Sequence, residues 1–210
     1  MYIPNKFRQE NIEQLLGVVE QYPFATLTAQ SEDGIEAVHL PLMLEQVDDK
    51  LLLKGHIAKA NPLWKKVHSG SNVLVIFHGP NCYISPNHYP TKLENGRAVP
   101  TWNYVVVHAK GAISFIKDVD WIYSMIDQLT AQHEVNSPYP WSISDAPDGF
   151  IEKMLPAIVG IEIKLRAIEG QWKLSQNQPE VNQQGVVNGL SALNEPSALE
   201  VASWVRAQGK

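Results

Sequence analysis

The sequence has a single cysteine, Cys82, among its 210 residues. One thiol cannot form an intrachain disulfide, and it cannot supply the paired thiolates of a structural zinc site. The chain also lacks an uninterrupted apolar run of about 18 residues, the length that a transmembrane helix needs. Residues 1–7 contain no apolar core of signal-peptide length. We therefore expect a cytoplasmic protein with no membrane contact.

An excess of positive charge is also missing. The chain carries 17 Lys and Arg residues against 22 Asp and Glu residues, which gives a formal net charge of −5. Sequence-independent binding of nucleic acid requires a basic surface that displaces counterions from the phosphates. No helix-turn-helix pattern is present either. DNA stays open as a partner, but neither the net charge nor a reader helix supports it.

Glycine-rich nucleotide motifs are absent as well. The chain has no Gly-x-Gly-x-x-Gly and no P-loop, and its helices do not alternate with its strands. The hydrophobic pattern predicts helices at 12–19, 118–132 and from Pro196 onward. Between them it predicts six or seven strands, with turns at Asp33-Gly34, Gly79-Pro80 and Glu169-Gly170. This arrangement favours a mainly β fold, a small antiparallel barrel with peripheral helices.

The stretch from Val99 to His108 is β-branched and aromatic, as expected of a central strand. Thr101, Asn103 and Tyr104 nevertheless place hydroxyl and amide groups on it. A buried polar group without a partner costs about 1–3 kcal/mol. This strand is therefore expected either to form an internal hydrogen-bond network or to face a ligand.

A second candidate region begins at Gly55, where a strand is predicted to lead through a loop into a helix. Asn61 suits a helix N-cap and Pro62 the first helical position. With His56 and Lys59 just upstream, such a joint is typical of an anion site. The alternative is a surface loop with solvated lysines, because most strand–loop–helix joints bind nothing.

Other candidates are weaker. His39, His78 and His108 lie on predicted strands, but no helical histidine pair or second cysteine supports a metal site. Cys82 and Ser85 lack the sequence context of a nucleophile. The polar loop at 86–96 is either a lid or an inert excursion.

Several motifs, spread in order over nearly the whole chain, resemble the PaiB-type FMN-binding negative transcriptional regulators. They are Met1-Tyr2-Ile3-Pro4 with Phe7, Ala37-Val38-His39-Leu40-Pro41, Gly55 to Pro62, Tyr83-Ile84-Ser85-Pro86, Val99 to Tyr104, Val107-His108, Leu129-Thr130 with His133-Glu134, Ile158-Val159-Gly160 and Trp172 to Asn177. One departure is His88-Tyr89, where the family usually has Trp-Tyr.

The resemblance implies an antiparallel split β-barrel of the flavin-reductase and pyridoxamine-phosphate-oxidase type. It also implies a homodimer with FMN between the subunits. We expect the barrel domain to cover residues 1–175 and a helical tail packed on the barrel to cover residues 176–210.

An FMN site needs a cradle for the phosphate, an apolar slot for the ring and polar groups at the ring edge. Residues of the matching motifs supply each part. They are His56, Lys59 and Asn61 for the phosphate, Leu40, Pro41 and Trp102 for the ring, Thr101 and Asn103 for its edge, and His39 and Ala58 beside them.

Three functions remain open from the sequence. The first is an FMN-binding negative transcriptional regulator that senses flavin redox state or a small metabolite. The second is a flavin-dependent oxidoreductase of unknown substrate, and the third is a dimeric interaction protein with a vestigial pocket. Whether the protein is an enzyme is not decided by the sequence.

Overall fold

The computed structural model describes residues 1–208. They form eight strands: β1 Arg8–Gln9, β2 Phe24–Ser31, β3 Gly34–Pro41, β4 Met43–Val47, β5 Lys50–Ala58, β6 Asn72–Ile84, β7 Thr101–Ile116 and β8 Ile158–Lys173. The helices are α1 Ile12–Gln21, α2 Leu63–Lys66, α3 Lys92–Asn95, α4 Val119–Glu134, α5 Phe150–Met154, α6 Glu180–Leu193 and α7 Pro196–Gln208. Four short 3-10 turns connect some of them.

All of these strands belong to one antiparallel sheet with the order β3-β2-β6-β7-β8-β5-β4, and β1 pairs with β8. The chain divides into two compact units whose boundaries fall inside α1, β6, β7 and β8. Unit 1 comprises Met1–Val18, His78–His108 and Glu169–Lys210, and unit 2 comprises Val19–Phe77 and Ala109–Ile168. No helix in the described part of the chain has the length and apolar character needed to cross a membrane.

In unit 2, the predicted hairpin joins β2 to β3, with Ser31 opposite Gly34. Gly34 has a φ of +124°, which side-chain-bearing residues rarely adopt, and this explains the glycine at the turn. The predicted helix at 118–132 is α4, capped by Asp118 Oδ1, which accepts the Trp121 N–H at 2.8 Å. Met125 and Leu129 of α4 pack against Met43, so the apolar stripe of this helix belongs to the core.

In unit 1, helices α6 and α7 bury one face each. The buried apolar residues are Val186, Val187 and Leu190 of α6 and Ala198, Val201, Ala202 and Val205 of α7. Trp172 at the end of β8 is 2% exposed and meets Trp204 of α7 edge to face, with 6.1 Å between ring centroids. Trp172 is buried and Trp204 is half-buried, so this aromatic pair removes apolar surface from water and stabilises the unit.

Two turn predictions are wrong. Gly79-Pro80 lies inside β6 and Glu169-Gly170 lies inside β8. A Cβ on Gly79 would meet Val105 at 3.0 Å, and a Cβ on Gly170 would meet Leu15 at 2.3 Å. These glycines permit close packing instead of turning the chain.

Candidate functional site

A cavity of about 450 Å³ opens between β3 and β5 of unit 2. Ala37 to Pro41, His56 to Ala58 and Asn61 line this β3–β5 cavity. Six of the ten residues predicted from the sequence therefore lie together: His39, Leu40, Pro41, His56, Ala58 and Asn61.

The two strands are brought together by a glycine. Strands β3 and β5 are not neighbours in the sheet order, yet a Cβ on Gly55 would lie only 2.7 Å from the Pro41 carbonyl oxygen. Only glycine permits this approach, which sets His56 across from the end of β3. Pro41 needs no ladder partner beyond β2 because β3 is the edge strand, a position that tolerates proline.

The His39 ring is held at one nitrogen. Its Nδ1 lies 3.1 Å from Thr26 Oγ1 on the paired strand, and the Phe24 ring is 6.5 Å away, centroid to centroid. Within residues 1–208 its Nε2 has no hydrogen-bond partner. His39 is exposed, so this nitrogen is available to a ligand in the cavity.

His56 differs because it is half-buried. Burial lowers the pKa of its imidazole, since desolvation penalises the charged form. The neutral ring keeps one donor and one acceptor, and its Nδ1 is buried without a hydrogen-bond partner among the described residues. A buried polar atom left without a partner is costly, and native proteins retain few of them. His56 is therefore the residue of this cavity that most needs a ligand.

The turn after β5 is fixed by three hydrogen bonds. Asn61 N–H donates to the Ala58 carbonyl at 2.9 Å, Lys59 N–H donates to Ala157 at 2.8 Å, and Asn61 Oδ1 accepts from Leu63 N–H at 3.0 Å. The Asn61 amide nitrogen is left to donate into the cavity. The following helix, α2, has only four residues. A single turn aligns few peptide dipoles, so attraction for an anion must come mainly from side chains.

Three lysines supply positive charge near this turn. Lys65 Nζ and Lys117 Nζ lie 5.2 Å and 4.5 Å from the centre of the Trp64 ring, whose Nε1 donates to the Lys59 carbonyl at 3.0 Å. Lys59 itself is exposed and is not part of the cavity lining. Neither Trp64 nor Lys117 is among the FMN-site residues predicted from the sequence. Trp64 lies three residues after the predicted cap Asn61, but Lys117 reaches it from the far end of β7 and gives no local signal.

Thr101, Trp102 and Asn103 lie in unit 1, where β7 begins. Lys173 Nζ donates to Thr101 Oγ1, and Asn103 Nδ2 donates to Ser175 Oγ at 2.9 Å. We call these four polar residues, Thr101, Asn103, Lys173 and Ser175, the strand cluster. Burial lowers the pKa of Lys173, and Asn103 is 1% exposed with its Oδ1 unpartnered. Here the strand's polar groups serve mainly an internal network.

Trp102, unlike its neighbour Asn103, is exposed to solvent. It is 49% exposed, its Nε1 donates to Asn81 Oδ1 at 3.1 Å, and it meets Tyr83 edge to face at 6.2 Å between centroids. Tyr83 is 48% exposed. Trp102 is thus a surface residue, not the ordinary core tryptophan that a strand position often holds.

The loop predicted as a lid or an inert excursion packs on α6. A Cβ on Gly185 would lie 2.1 Å from the His88 carbonyl oxygen, and one on Gly189 would lie 1.9 Å from His88 Nδ1. The buried Asn182 exchanges hydrogen bonds with Thr91. Within the loop, residues 88–91 are therefore held against the helix.

The structure of residues 1–208 contains no candidate metal site. No group of three His, Cys, Asp or Glu side chains in that range could hold a metal ion. His39, whose ring nitrogen pairs with Thr26, behaves as a hydrogen-bonded strand histidine. Cys82 is half-buried, and burial raises the pKa of its thiol, which disfavours the reactive thiolate.

Comparisons with known proteins identify the family of the chain. A family model described as "Putative FMN-binding domain" matches residues 1–167. The Bacillus subtilis "Protease synthase and sporulation protein PAI 2" is 33% identical over 202 residues, which cover 96% of this chain and 95% of that protein. The chain belongs to the PaiB family of FMN-binding proteins. FMN is the cofactor of this PaiB-family chain.

Solved structures show the fold of the PaiB-family chain. The FAD and heme binding protein from Mycobacterium smegmatis matches with a TM-score of 0.56 and 14% identity, over 79% of this chain and 73% of that one. The flavocytochrome Anf3 from Azotobacter vinelandii matches with a TM-score of 0.57 and 9% identity, over 79% and 69% of the two chains. The fold is the antiparallel split β-barrel predicted from the sequence.

Proposed function

We propose that the chain binds FMN in the β3–β5 cavity and acts as a regulatory protein of the PaiB type. The observation that carries this proposal is the buried, unpartnered Nδ1 of His56 in the cavity lining. Together with His39 Nε2 and the Asn61 amide, it gives the cavity polar groups that remain to be paired. Leu40 and Pro41 supply an apolar wall for the ring.

The phosphate of FMN is a dianion at neutral pH and needs donors and positive charge. The turn at Asn61 offers an amide donor, and positive charge is near it on Lys59, two residues earlier, and on Lys65 and Lys117 at the Trp64 ring. No carboxylate forms an ion pair with these lysines among residues 1–208. We therefore assign the phosphate to the Asn61 end of the cavity and the ring to the β3 end.

FMN titration of the apoprotein tests the assignment. We expect His56→Gln and Asn61→Ala each to weaken FMN roughly tenfold, the effect of losing one hydrogen bond to a charged or buried group. Lys59→Ala should weaken FMN less, because an exposed lysine contributes little. His68→Gln is the matched control, since His68 is exposed and outside the lining. Wild-type affinity in both cavity variants would place the flavin elsewhere.

We further propose that the working unit is a homodimer. A face carrying half-exposed Trp102 and Tyr83 in edge-to-face contact has the aromatic composition of an interface core. A C2 dimer uses the same patch on both subunits, so one substitution alters the contact twice. Sedimentation of Trp102→Ala should show a shift toward monomer, whereas Tyr139→Ala, another exposed aromatic, should not. A wild-type monomer in the FMN-loaded state would contradict the proposal.

In this proposal the FMN-loaded protein acts as a negative transcriptional regulator in the cytoplasm and responds to flavin redox state or to a small metabolite. The support for regulation is the family membership. With a net charge of −5, we expect direct DNA binding to be weak and steeply dependent on salt. Sustained oxidation of NAD(P)H by the FMN-loaded protein would instead favour the oxidoreductase.

A further inference from the structure

A second cavity of unit 2 has no part in the proposed FMN site. It has a volume of about 470 Å³ and lies on strands β2, β3, β6, β7 and β8. We call it the outer groove. Its lining includes Ile35, Leu74, Lys110 and Arg166. The volume is in the range of small-molecule sites.

The walls of the outer groove are largely apolar. Ile35 is 79% exposed, although isoleucine is among the residues most often buried. Leu74 is half-buried, and the buried Ala29 and Val73 lie at the base. A ligand with an apolar body would remove this surface from water, at a gain of about 25 cal/mol for each Å² covered.

Two cations border this apolar surface. Arg166 of β8 reaches over β7, and its Nη1 donates to Asn72 Oδ1 on β6. The bond to a neutral amide uses part of the guanidinium, which has five N–H donors. No carboxylate forms an ion pair with Arg166 in the part of the chain that the structure describes. Lys110 of β7 adds a second positive charge to the lining.

The outer groove lies next to the β3–β5 cavity along one strand. Ile35 lines the groove, and Ala37 lines the cavity. Residues two apart on a strand face the same side and are about 7 Å apart. A ligand in the groove would therefore lie close enough to the cavity for the two occupants to influence each other.

We propose that the outer groove binds a small apolar acid, a molecule with a hydrophobic ring or chain and one carboxylate, sulfonate or phosphate group. The body of the acid covers Ile35 and Leu74, and its anionic group accepts hydrogen bonds from the remaining N–H donors of Arg166. Its role as the sensed metabolite rests on the proposed FMN-dependent regulation. The binding site itself does not.

The test uses the full chain and the fluorescent probe anilinonaphthalene sulfonate, an apolar acid. We expect saturable binding that weakens roughly tenfold or more in Arg166→Met, the effect of losing hydrogen bonds to a charged group. Lys164→Met is the matched control, because Lys164 is an exposed cation of the same strand outside the groove. Ile35→Trp should block the probe by filling the groove from an exposed position.

Competition distinguishes the anion site from general hydrophobic adsorption. Naphthoate should displace the probe, and the neutral naphthalenemethanol should do so at least tenfold less well. Equal competition, or equal probe affinity in wild type and Arg166→Met, would overturn the proposal. Probe binding that disappears as the protein dimerises would also overturn it, since a second copy would then cover the groove.

A parallel FMN titration separates the two proposals. Arg166→Met should keep wild-type FMN affinity, because Arg166 does not line the β3–β5 cavity. If the protein binds the probe as expected but takes no FMN, the groove stands and the proposed function fails. If FMN binds at the cavity but the probe binds Arg166→Met and wild type with equal affinity, the groove proposal alone fails.

Discussion

The β3–β5 cavity of unit 2 and the strand cluster of unit 1 both place polar side chains on strands, but they use them differently. In the cluster, Lys173 is paired with Thr101 and Asn103 with Ser175. In the cavity, His56 Nδ1 has no partner within residues 1–208, and His39 is held through one nitrogen only.

The difference shows what polar residues on a strand can mean. A network that pairs its own groups contributes to stability and specificity, and it does not need a ligand. A cavity whose buried polar groups have no hydrogen-bond partner carries a desolvation cost, and a ligand that pairs with these groups removes that cost. Asn103 Oδ1, buried and unpartnered, is the exception inside the cluster. Removing groups from each region should therefore change different measured quantities.

The largest effect is expected for Gly55→Ala. Its Cβ would lie 2.7 Å from the Pro41 carbonyl oxygen and 2.9 Å from Leu42 Cδ2, so β3 and β5 must separate. Such overpacking costs about 1–3 kcal/mol, and the displaced cavity walls should weaken FMN more than either cavity substitution. Urea unfolding and FMN titration measure the two losses.

The matched control for Gly55 is Gly17→Ala, in α1. Nothing lies within 4 Å of a Cβ at that position, and alanine favours a helix by about 0.5–1 kcal/mol. This variant should gain stability and keep its FMN affinity. If Gly55→Ala behaved in the same way, the close approach of the two strands would not define the cavity.

A smaller effect is expected for Asn103→Ala. It removes the buried hydrogen bond to Ser175 but also removes the unpartnered Oδ1, so the net loss should be about 1–2 kcal/mol. FMN affinity of the folded protein should stay within twofold of wild type. Asn81→Ala, at an exposed asparagine, should cost less than about 0.5 kcal/mol. A selective loss of FMN binding in Asn103→Ala would remove the contrast between the two regions.

The smallest effect concerns pH. Burial lowers the pKa of His56 in the free protein, below its usual value of about 6.5. The negative charge of a nearby FMN phosphate would raise the pKa of His56. At any pH between the pKa of His56 in the free protein and its pKa in the FMN complex, FMN binding is therefore accompanied by the uptake of a proton. FMN affinity should therefore rise by a fewfold as the pH falls from about 8 to 6.5, above the second phosphate pKa of about 6.

His56→Gln is the variant that identifies the source of this pH dependence. Glutamine does not titrate, so the slope of FMN affinity against pH should flatten in it. His68→Gln should keep the wild-type slope, because His68 is exposed and outside the cavity. A slope of opposite sign in wild type, or an unchanged slope in His56→Gln, would show that His56 is not linked to the phosphate.

Local signals in the sequence predicted much of the fold. Asn11 Oδ1 accepts the Gln14 N–H at 3.1 Å, as its place before α1 predicts, and Asp118 does the same for α4. Each signal is contained in a few adjacent residues. Glycine is ambiguous in this respect, because Gly79 and Gly170 serve close packing while Gly34 serves a turn. The Asp-Gly dipeptide marks the turn at Gly34, whereas the residues beside Gly79 and Gly170 give no signal of the close packing there.

The candidate site was predictable where its residues are adjacent in sequence. His39 to Pro41 and His56 to Asn61 lie in matching motifs, and the structure collects six of the ten predicted residues in one cavity. The contact of Lys117 with Trp64 depends on the path of β7. The division at residue 175 and the roles of Thr101 and Trp102 in FMN binding stay predictions.

The unit boundaries inside α1, β6, β7 and β8 also bear on how such a protein can evolve. No contiguous stretch of the gene encodes either unit, because unit 1 is assembled from three segments and unit 2 from two. Recombination that exchanges one contiguous segment therefore cannot replace either unit as a whole without replacing part of the other. The lining of the β3–β5 cavity, in contrast, comes from residues 37 to 61 alone. New ligand preferences can therefore arise by point substitution within that short stretch, while the scaffold is inherited whole.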